Sequence, residues 1–302
     1  MAVGWTAPDV PVRDAATVIL LRDVAGRGLE VFMLRRNLNS DFVGGAYVFP
    51  GGGVDTADRA EDLEPFCGGL TDAEASRVLG IDRGGLAFWV AAVRECFEEA
   101  GVLLARDRGG EVVSFADPAR AARFAGHRAA MNAGTLRLVD LCRIEDLALD
   151  VGAMHYFAHW ITPHGAPRRY DTRFFIAAAP AEQVPLHDNR EVIANLWITP
   201  REALERNAAG RYELIMPTFK NLEALTRFES GSEVLDVARS MSEIPAILPR
   251  IGRGPEGVRI LLPGDEGYEA ATPSPRKLAA EGRARTEDPD DIDDIDARWS
   301  PS

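Results

Sequence analysis

The sequence predicts an α/β fold in which apolar strands and amphipathic helices interleave, and three features predict it. Two apolar runs, Ala15 to Leu21 and Leu29 to Leu34, flank a Gly26-Arg27-Gly28 turn and read as a strand pair near the start of the chain. Residues Ala91 to Val102 separate acidic from apolar side chains at helical spacing. After a further helical stretch, Met154 to Ile161 and Arg169 to Ala177 return to strand-like composition.

Composition bounds the function. With 302 residues and 46% apolar content, the chain is long enough to bury a sizeable core. It shows no basic-plus-apolar leader and no apolar run of membrane-spanning length, so a cytoplasmic protein without a membrane partner is expected. Cys67, Cys96 and Cys142 are too few and too irregularly spaced for a disulfide framework or a zinc site, and read as reduced thiols. The net charge is −13, and residues 263–302 hold five Lys or Arg against eleven Asp or Glu. That balance argues against a nucleic-acid partner, whereas a small diphosphate compound responds to the local charges of its site. The expected organisation is a lead-in over 1–12, one domain over 13–262, and a flexible acidic tail over 263–302. Nothing in the composition fixes an oligomeric state.

Taken in order, the first strand pair ends at Arg35 and Arg36, and a loop from Asn37 to Gly45 leads to a strand at Ala46 to Phe49. The glycine run Gly51-Gly52-Gly53 then lets backbone approach a phosphate or a metal ligand closely. In the stretch 60–85, Thr71-Asp-Ala-Glu74 has the form of a capping box and starts a short helix ending near Gly80. Val102 to Ala105 reads as a short strand, and Pro118 to Asn132 and Leu138 to Leu147 as helices. Arg120, Arg123, His127 and Arg128 either meet a substrate or form a solvated basic face. His155 and His159 stand four apart, but they lie on a strand-like segment without the glutamate of a zinc-binding helix, so no zinc is expected there. Arg169, Asp171 and Arg173 alternate with Tyr170, Thr172 and Phe174, which gives this strand one charged face. Arg173 is a candidate phosphate contact, with an ion pair to Asp171 as the alternative. A loop at Asp188 to Glu191 precedes a strand through Trp197, and Thr199-Pro-Arg-Glu202 caps a helix to about Asn207. Pro217 to Phe228 is the last predicted helix, and Val258 to Leu262 belongs to a short strand pair within Ile247 to Pro263.

The helix at Ala91 to Val102 carries the chemistry. Glu95, Glu98 and Glu99 fall within an arc of about 100°, with Val90, Val93, Phe97 and Ala100 opposite. Like charges at these spacings repel, so the arrangement gains stability only from a cation among them, such as Mg²⁺ or Mn²⁺. Arg94 can hold Glu98 from the side, and Gly101 lets the chain leave the helix. A solvated acidic face is the alternative.

Together, Phe49-Pro50-Gly51-Gly52-Gly53 and Arg94-Glu95-Cys96-Phe97-Glu98-Glu99-Ala100-Gly101-Val102 resemble the Nudix box. That pattern runs Gly, five residues, Glu, seven residues, then Arg-Glu-aliphatic-any-Glu-Glu-any-Gly-aliphatic. Here Gly52 plus five residues arrives at Asp58, and 35 residues instead of seven separate Asp58 from Arg94. The extra length of about 28 residues leaves Asp58 outside the expected site. A box split at this place is similar to that of the coenzyme A and acyl-CoA diphosphatase branch, and the resemblance extends from about Asp14 to Leu225, including Trp160-Ile-Thr-Pro and Trp197-Ile-Thr-Pro.

The resemblance implies a Nudix α/β/α sandwich with a mixed β-sheet and helical insertions. It implies Glu95, Glu98 and Glu99 as ligands of Mg²⁺ or Mn²⁺, Arg94 as the group orienting them, and Gly52 and Gly53 beside the substrate. The proton acceptor would be Glu98, Glu99 or Glu191, the last standing six residues before Trp197. Of a coenzyme A motif that precedes Phe-Pro-Gly-Gly, Arg36 and Gly45 are kept, while Leu34, Asn37 and Asp41 depart. The implied substrate is a nucleoside diphosphate-linked small molecule, CoA or an acyl-CoA, split into 3′,5′-ADP and a phosphopantetheine. ADP-ribose or a dinucleotide is the alternative substrate, and a non-catalytic ligand sensor on the same fold the alternative role.

Overall fold

A computed structural model describes residues 10–37, 44–59, 61–187, 192–254 and 257–271. Asp41, Glu191 and the stretch 272–302 lie outside the described residues. The chain opens with strands β1 (Val12–Val24), β2 (Gly28–Arg36), β3 (Tyr47–Val48) and β4 (Gly51–Gly53). Helix α1 (Asp72–Leu79) and the long helix α2 (Leu86–Ala100) follow, then β5 (Ala105–Arg106), α3 (Pro118–Asn132), α4 (Leu138–Glu145) and β6 (Ala148–Leu149). The second half holds β7 (His155–Ile161), β8 (Arg169–Ala178), β9 (Val192–Ile198), α5 (Pro200–Ala208), α6 (Met216–Leu225) and α7 (Gly231–Ser240). It closes with β10 (Ala246–Ile247), β11 (Arg250–Gly254) and β12 (Gly257–Leu261).

The main sheet runs β10-β7-β8-β1-β2-β3, with β4 paired to β1 and β9 to β2. It is mixed, because β1 and β8 are parallel while β1 and β2 are antiparallel. Strand β1 is buried on both faces, which explains its near-continuous apolar run. Ala16, Val18 and Leu20 pack toward α2, and Ile19 and Leu21 pack toward the cluster that holds Ala203, Leu222 and Val234 of α5, α6 and α7. Helices therefore cover both faces, and the chain is an α/β/α sandwich as the motif resemblance implies. No helix of the described residues is long and apolar enough to cross a membrane.

What positions the site is a divergence. β1 and β2 pair only from Leu21 and Val31 down to Val24 and Gly28. Beyond that point β4 takes the place beside β1, with Gly51, Gly52 and Gly53 opposite Thr17, Ala16 and Ala15. The glycine run thus fills the opening between two splaying strands.

Several local readings differ from the structure. The short strand expected at Val102 to Ala105 is β5 at Ala105–Arg106, paired with β6. Thr71 and Glu74 form the expected reciprocal capping box, but at Thr199 only the hydroxyl half forms, because the Glu202 carboxylate pairs with Arg27 and Arg206. Helix α7 lies in a stretch left unassigned from sequence, and packed residues continue past the boundary placed at 263, since Tyr268 is buried.

Candidate active site

Helix α2 is held at both ends by side chains from other elements. At its start, Asp72 of α1 accepts from the backbone N–H groups of Leu86 (2.9 Å) and Gly84 (3.0 Å), and Ser76 accepts from Gly85 (2.9 Å). A carboxylate here also opposes the positive end of the helix. At its end, Gly101 adopts φ 68°, a left-handed conformation that glycine takes without strain. There Arg128 of α3 donates to the carbonyls of Glu98 (2.9 Å) and Glu99 (2.8 Å), and Asn132 donates to Glu98 (3.3 Å). The sequence left Arg128 between a substrate contact and a solvated face; in the structure it is half-buried and braces the end of α2. Arg123 and His127, from the same stretch, both meet Glu145.

Arg94 is the hub of the buried turn. Its Nε and Nη2 donate to the two oxygens of Asp58, both at 2.9 Å, its Nη1 to Glu95 (2.8 Å) and Glu98 (3.1 Å), and its Nη2 also to the Gly53 carbonyl (2.8 Å). Asp55 stands 3.5 Å away. The expectation that the long insertion removes Asp58 from the site is corrected: the residues between leave and return, and Asp58 docks, fully buried, on Arg94. Burial pushes the Asp58 carboxyl up to about 7, with Arg94 pulling it down. Both Asp58 oxygens accept from the guanidinium, which is the geometry of an ionised carboxylate, and this direction decides the state of the pair. Burial likewise opposes the charge on Arg94, but Asp58 and Glu95 outweigh it and raise the guanidinium well above its ordinary value.

The acids then meet the glycine run. Gly51 N–H donates to Glu99 (3.0 Å), and a methyl group placed on Gly52 would lie 2.4 Å from Glu95 Oε1. A side chain there would have to displace the Glu95 carboxylate from its bond to Arg94. Gly51, Gly52, Gly53, Glu95 and Glu99 form one part of a cleft of roughly 270 Å³, whose remaining lining includes Arg36, Thr17, Thr172, Tyr170, Trp160, Phe49, Met216 and Ile260.

Of the residues singled out from sequence, Gly52, Gly53, Arg36, Glu95 and Glu99 come together in this cleft. Glu98 sits on the same turn against Arg94. Glu191 lies outside the described residues. Arg173 requires a correction. It is 2% exposed, it pairs with Asp171 and contacts His159, and its guanidinium lies over the Phe88 ring of α2. The charged face of β8 turns inward, and it is the alternating face with Tyr170, Thr172 and Phe174 that lines the cleft.

The family profile of the NUDT19 Nudix domain matches residues 73–225. The chain belongs to the Nudix family. The acyl-coenzyme A diphosphatase NUDT19 of Homo sapiens is 31% identical across 89% of this chain and 78% of its own length, and that of Gallus gallus is 32% identical across 85% and 79%. Among solved structures, the Nudix hydrolase from Alicyclobacillus acidocaldarius superposes with a TM-score of 0.60 at 28% identity, covering 75% of this chain and 96% of that one. The chain is thus a Nudix diphosphohydrolase, and its split Nudix box closes in space through the Asp58–Arg94 fork.

Nudix hydrolases generally use divalent cations, and the donors present fit such an ion. They are carboxylate oxygens, the ligand type that Mg²⁺ and Mn²⁺ prefer, and Asp55 Oδ1 beside them is buried without a hydrogen-bond partner. Among the described residues no three His, Cys, Asp or Glu side chains form a ready-made metal cage. Glu95, Glu98 and Glu99, which share the last turns of α2, are the residues that would hold the ion.

Proposed function

We propose that this Nudix hydrolase cleaves the diphosphate of CoA or an acyl-CoA, releasing 3′,5′-ADP and the corresponding phosphopantetheine, with Mg²⁺ or Mn²⁺ as cofactor. One observation carries the reading: a single cleft joins Glu95, Glu99 and the glycine run to a mostly apolar lining that also includes Arg36. A substrate with a diphosphate between a charged nucleotide and a long, less polar arm matches that distribution. The named activity of the Homo sapiens and Gallus gallus relatives supports the same substrate class.

Glu95, Glu98 and Glu99 would hold the cation, which when bound neutralises phosphate charge and lowers the pKa of water at the site. The residues of the chain supply the remainder. Gly51 to Gly53 bring backbone close enough for the diphosphate to lie against the acids. Arg94, itself fixed by Asp58, keeps Glu95 and Glu98 from swinging into solvent. Glu99, oriented by the Gly51 N–H, and Glu98 on the same turn are the candidates to take the proton of the attacking water. Arg36 is placed to meet an anionic group of the nucleotide.

The test is mass analysis of products after incubation with CoA, an acyl-CoA, ADP-ribose and NADH in Mg²⁺ or Mn²⁺, with Glu98→Gln alongside. The expected products are 3′,5′-ADP and phosphopantetheines, with turnover falling by about 10²- to 10⁴-fold in the variant. Cleavage of ADP-ribose or NADH in place of the CoA compounds would remove the CoA assignment, and tight binding without any cleavage would favour a ligand sensor.

A further inference from the structure

The β11–β12 hairpin stands outside the main sheet, yet it contributes to the cleft. Pro249, just before β11, and Ile260, on β12, line the same cleft as Glu95 and Glu99. Ile260 is directly opposite Ile251 across the hairpin, so both side chains share one face, and they are 49% and 47% exposed. That face looks toward the turn between β7 and β8, since a methyl group on Gly165 would lie 3.9 Å from Ile251 Cδ1.

The base of the hairpin is fastened. The Arg250 guanidinium lies 3.8 Å from the Tyr268 ring centroid and donates to the Tyr268 carbonyl (2.8 Å), while the Tyr268 hydroxyl donates to the Leu248 carbonyl (2.8 Å). Leu261, next to Ile260, is buried. An anchored hairpin that keeps two β-branched side chains half in water at a cleft wall is unfavourable for the protein alone and favourable once an apolar ligand covers them.

Sheet order says which part of a ligand that would be. Arg36 belongs to β2, on one side of β1; β8 and β7 lie on the other side, and the glycine run beside β1 lies between. With the glycine run wedged beside β1 at this level, β2 and β7 are more than three strand spacings apart, that is, over about 14 Å. Among the described residues of the cleft lining, the charged ones are Arg36, Glu95 and Glu99. Val48, Val192, Ile215, Met216 and Pro217 add apolar surface on the Arg36 side, whereas the β7 and hairpin side offers Trp160, Ile161, Pro163, Pro249 and Ile260 with no charged residue among them. The cleft thus carries its arginine on the β2 side, its acids beside the glycine run, and a wholly uncharged wall on the β7 and hairpin side.

We infer that the β11–β12 hairpin is the acyl-chain specificity element of this enzyme, with Ile260 and Ile251 covering the aliphatic tail of a CoA thioester; this rests on the CoA-ester reading above. A nucleotide at this end would face no cation of the cleft lining, and a saturated chain needs none.

The test compares kcat/KM for free CoA, acetyl-CoA and a long saturated acyl-CoA, using the full chain and the variants Ile260→Ser and Ile251→Ser, both at half-exposed positions. The ratio of long-chain to acetyl-CoA efficiency should fall about tenfold in Ile260→Ser, the size expected for losing a few methylene contacts, and less in Ile251→Ser. An unchanged ratio, or an equal loss on all three substrates, overturns the hairpin assignment while the CoA-ester reading stands. If the unsubstituted protein cleaves no CoA compound, that underlying reading fails and the hairpin assignment falls with it.

Discussion

Two clusters of buried charge sit on this fold, and they are built differently. Around α2, one guanidinium, Arg94, touches the carboxylates of Asp55, Asp58, Glu95 and Glu98. On β7 and β8, the single carboxylate of Asp171 meets Arg173 and His159, with Arg169 buried on the same strand face. Among the described contacts, the first brings four carboxylates to one guanidinium beside an open cleft; the second brings Arg173 and His159 to one carboxylate and is packed against Phe88. Burial of charge is common to both, so burial alone does not mark a site. The gathering of several carboxylates on one guanidinium does, because such a set favours the arrival of a cation or a proton.

Removing the keystone of the acid-rich cluster gives the largest effect. Asp58→Ala leaves Arg94 buried without its fork and should cost about 3–5 kcal/mol of stability in denaturant unfolding. Turnover per folded molecule should also drop by at least about tenfold, because Arg94 no longer fixes Glu95 and Glu98. Loss of stability with unchanged turnover would make Asp58 a structural residue like Asp171 and erase the distinction between the clusters.

The matching change in the β7–β8 cluster is Arg173→Met. It takes the guanidinium away from the buried Asp171 and leaves His159 beside it, so a loss of about 3 kcal/mol is expected. Turnover of the folded fraction, measured well below the melting temperature, should stay within about twofold, since Arg173 lies on the face of β8 away from the cleft. A selective rise in KM would return Arg173 to the phosphate-binding role that its sequence position had suggested.

The same contrast explains what the sequence disclosed. Local signals were legible: the Thr71–Glu74 capping box, the acid stripe of α2, and the strand alternation at Arg169 to Phe174 all depend on neighbours within a few residues. Long-range partners were not. Nothing local says that Asp58 reaches Arg94, or that Asp72 and Ser76 cap a helix beginning at Leu86. Alternation on β8 identified two faces without saying which one meets the cleft, because a two-residue period is symmetric under exchange of sides. Helix α7 carries a local signal of the same kind: Ser230 accepts from the Glu233 backbone N–H, the spacing of a capping box.

The smallest and most discriminating effect concerns Arg128. Its two bonds to the carbonyls of Glu98 and Glu99 fix the last turn of α2, where the helix would otherwise leave these acceptors to water. Arg128→Gln should therefore cost only about 1.5 kcal/mol of stability, the low end for bonds to a charged donor because the contact is partly buried. The same loosening should reach the acids through their own backbone: Mn²⁺ binding to the protein without substrate, followed by calorimetry, should weaken severalfold, with Lys restoring part of the affinity. A purely packing role for Arg128 would lower the melting temperature and leave Mn²⁺ affinity untouched, and would make the acid cluster depend on Arg94 and Asp58 without help from α3.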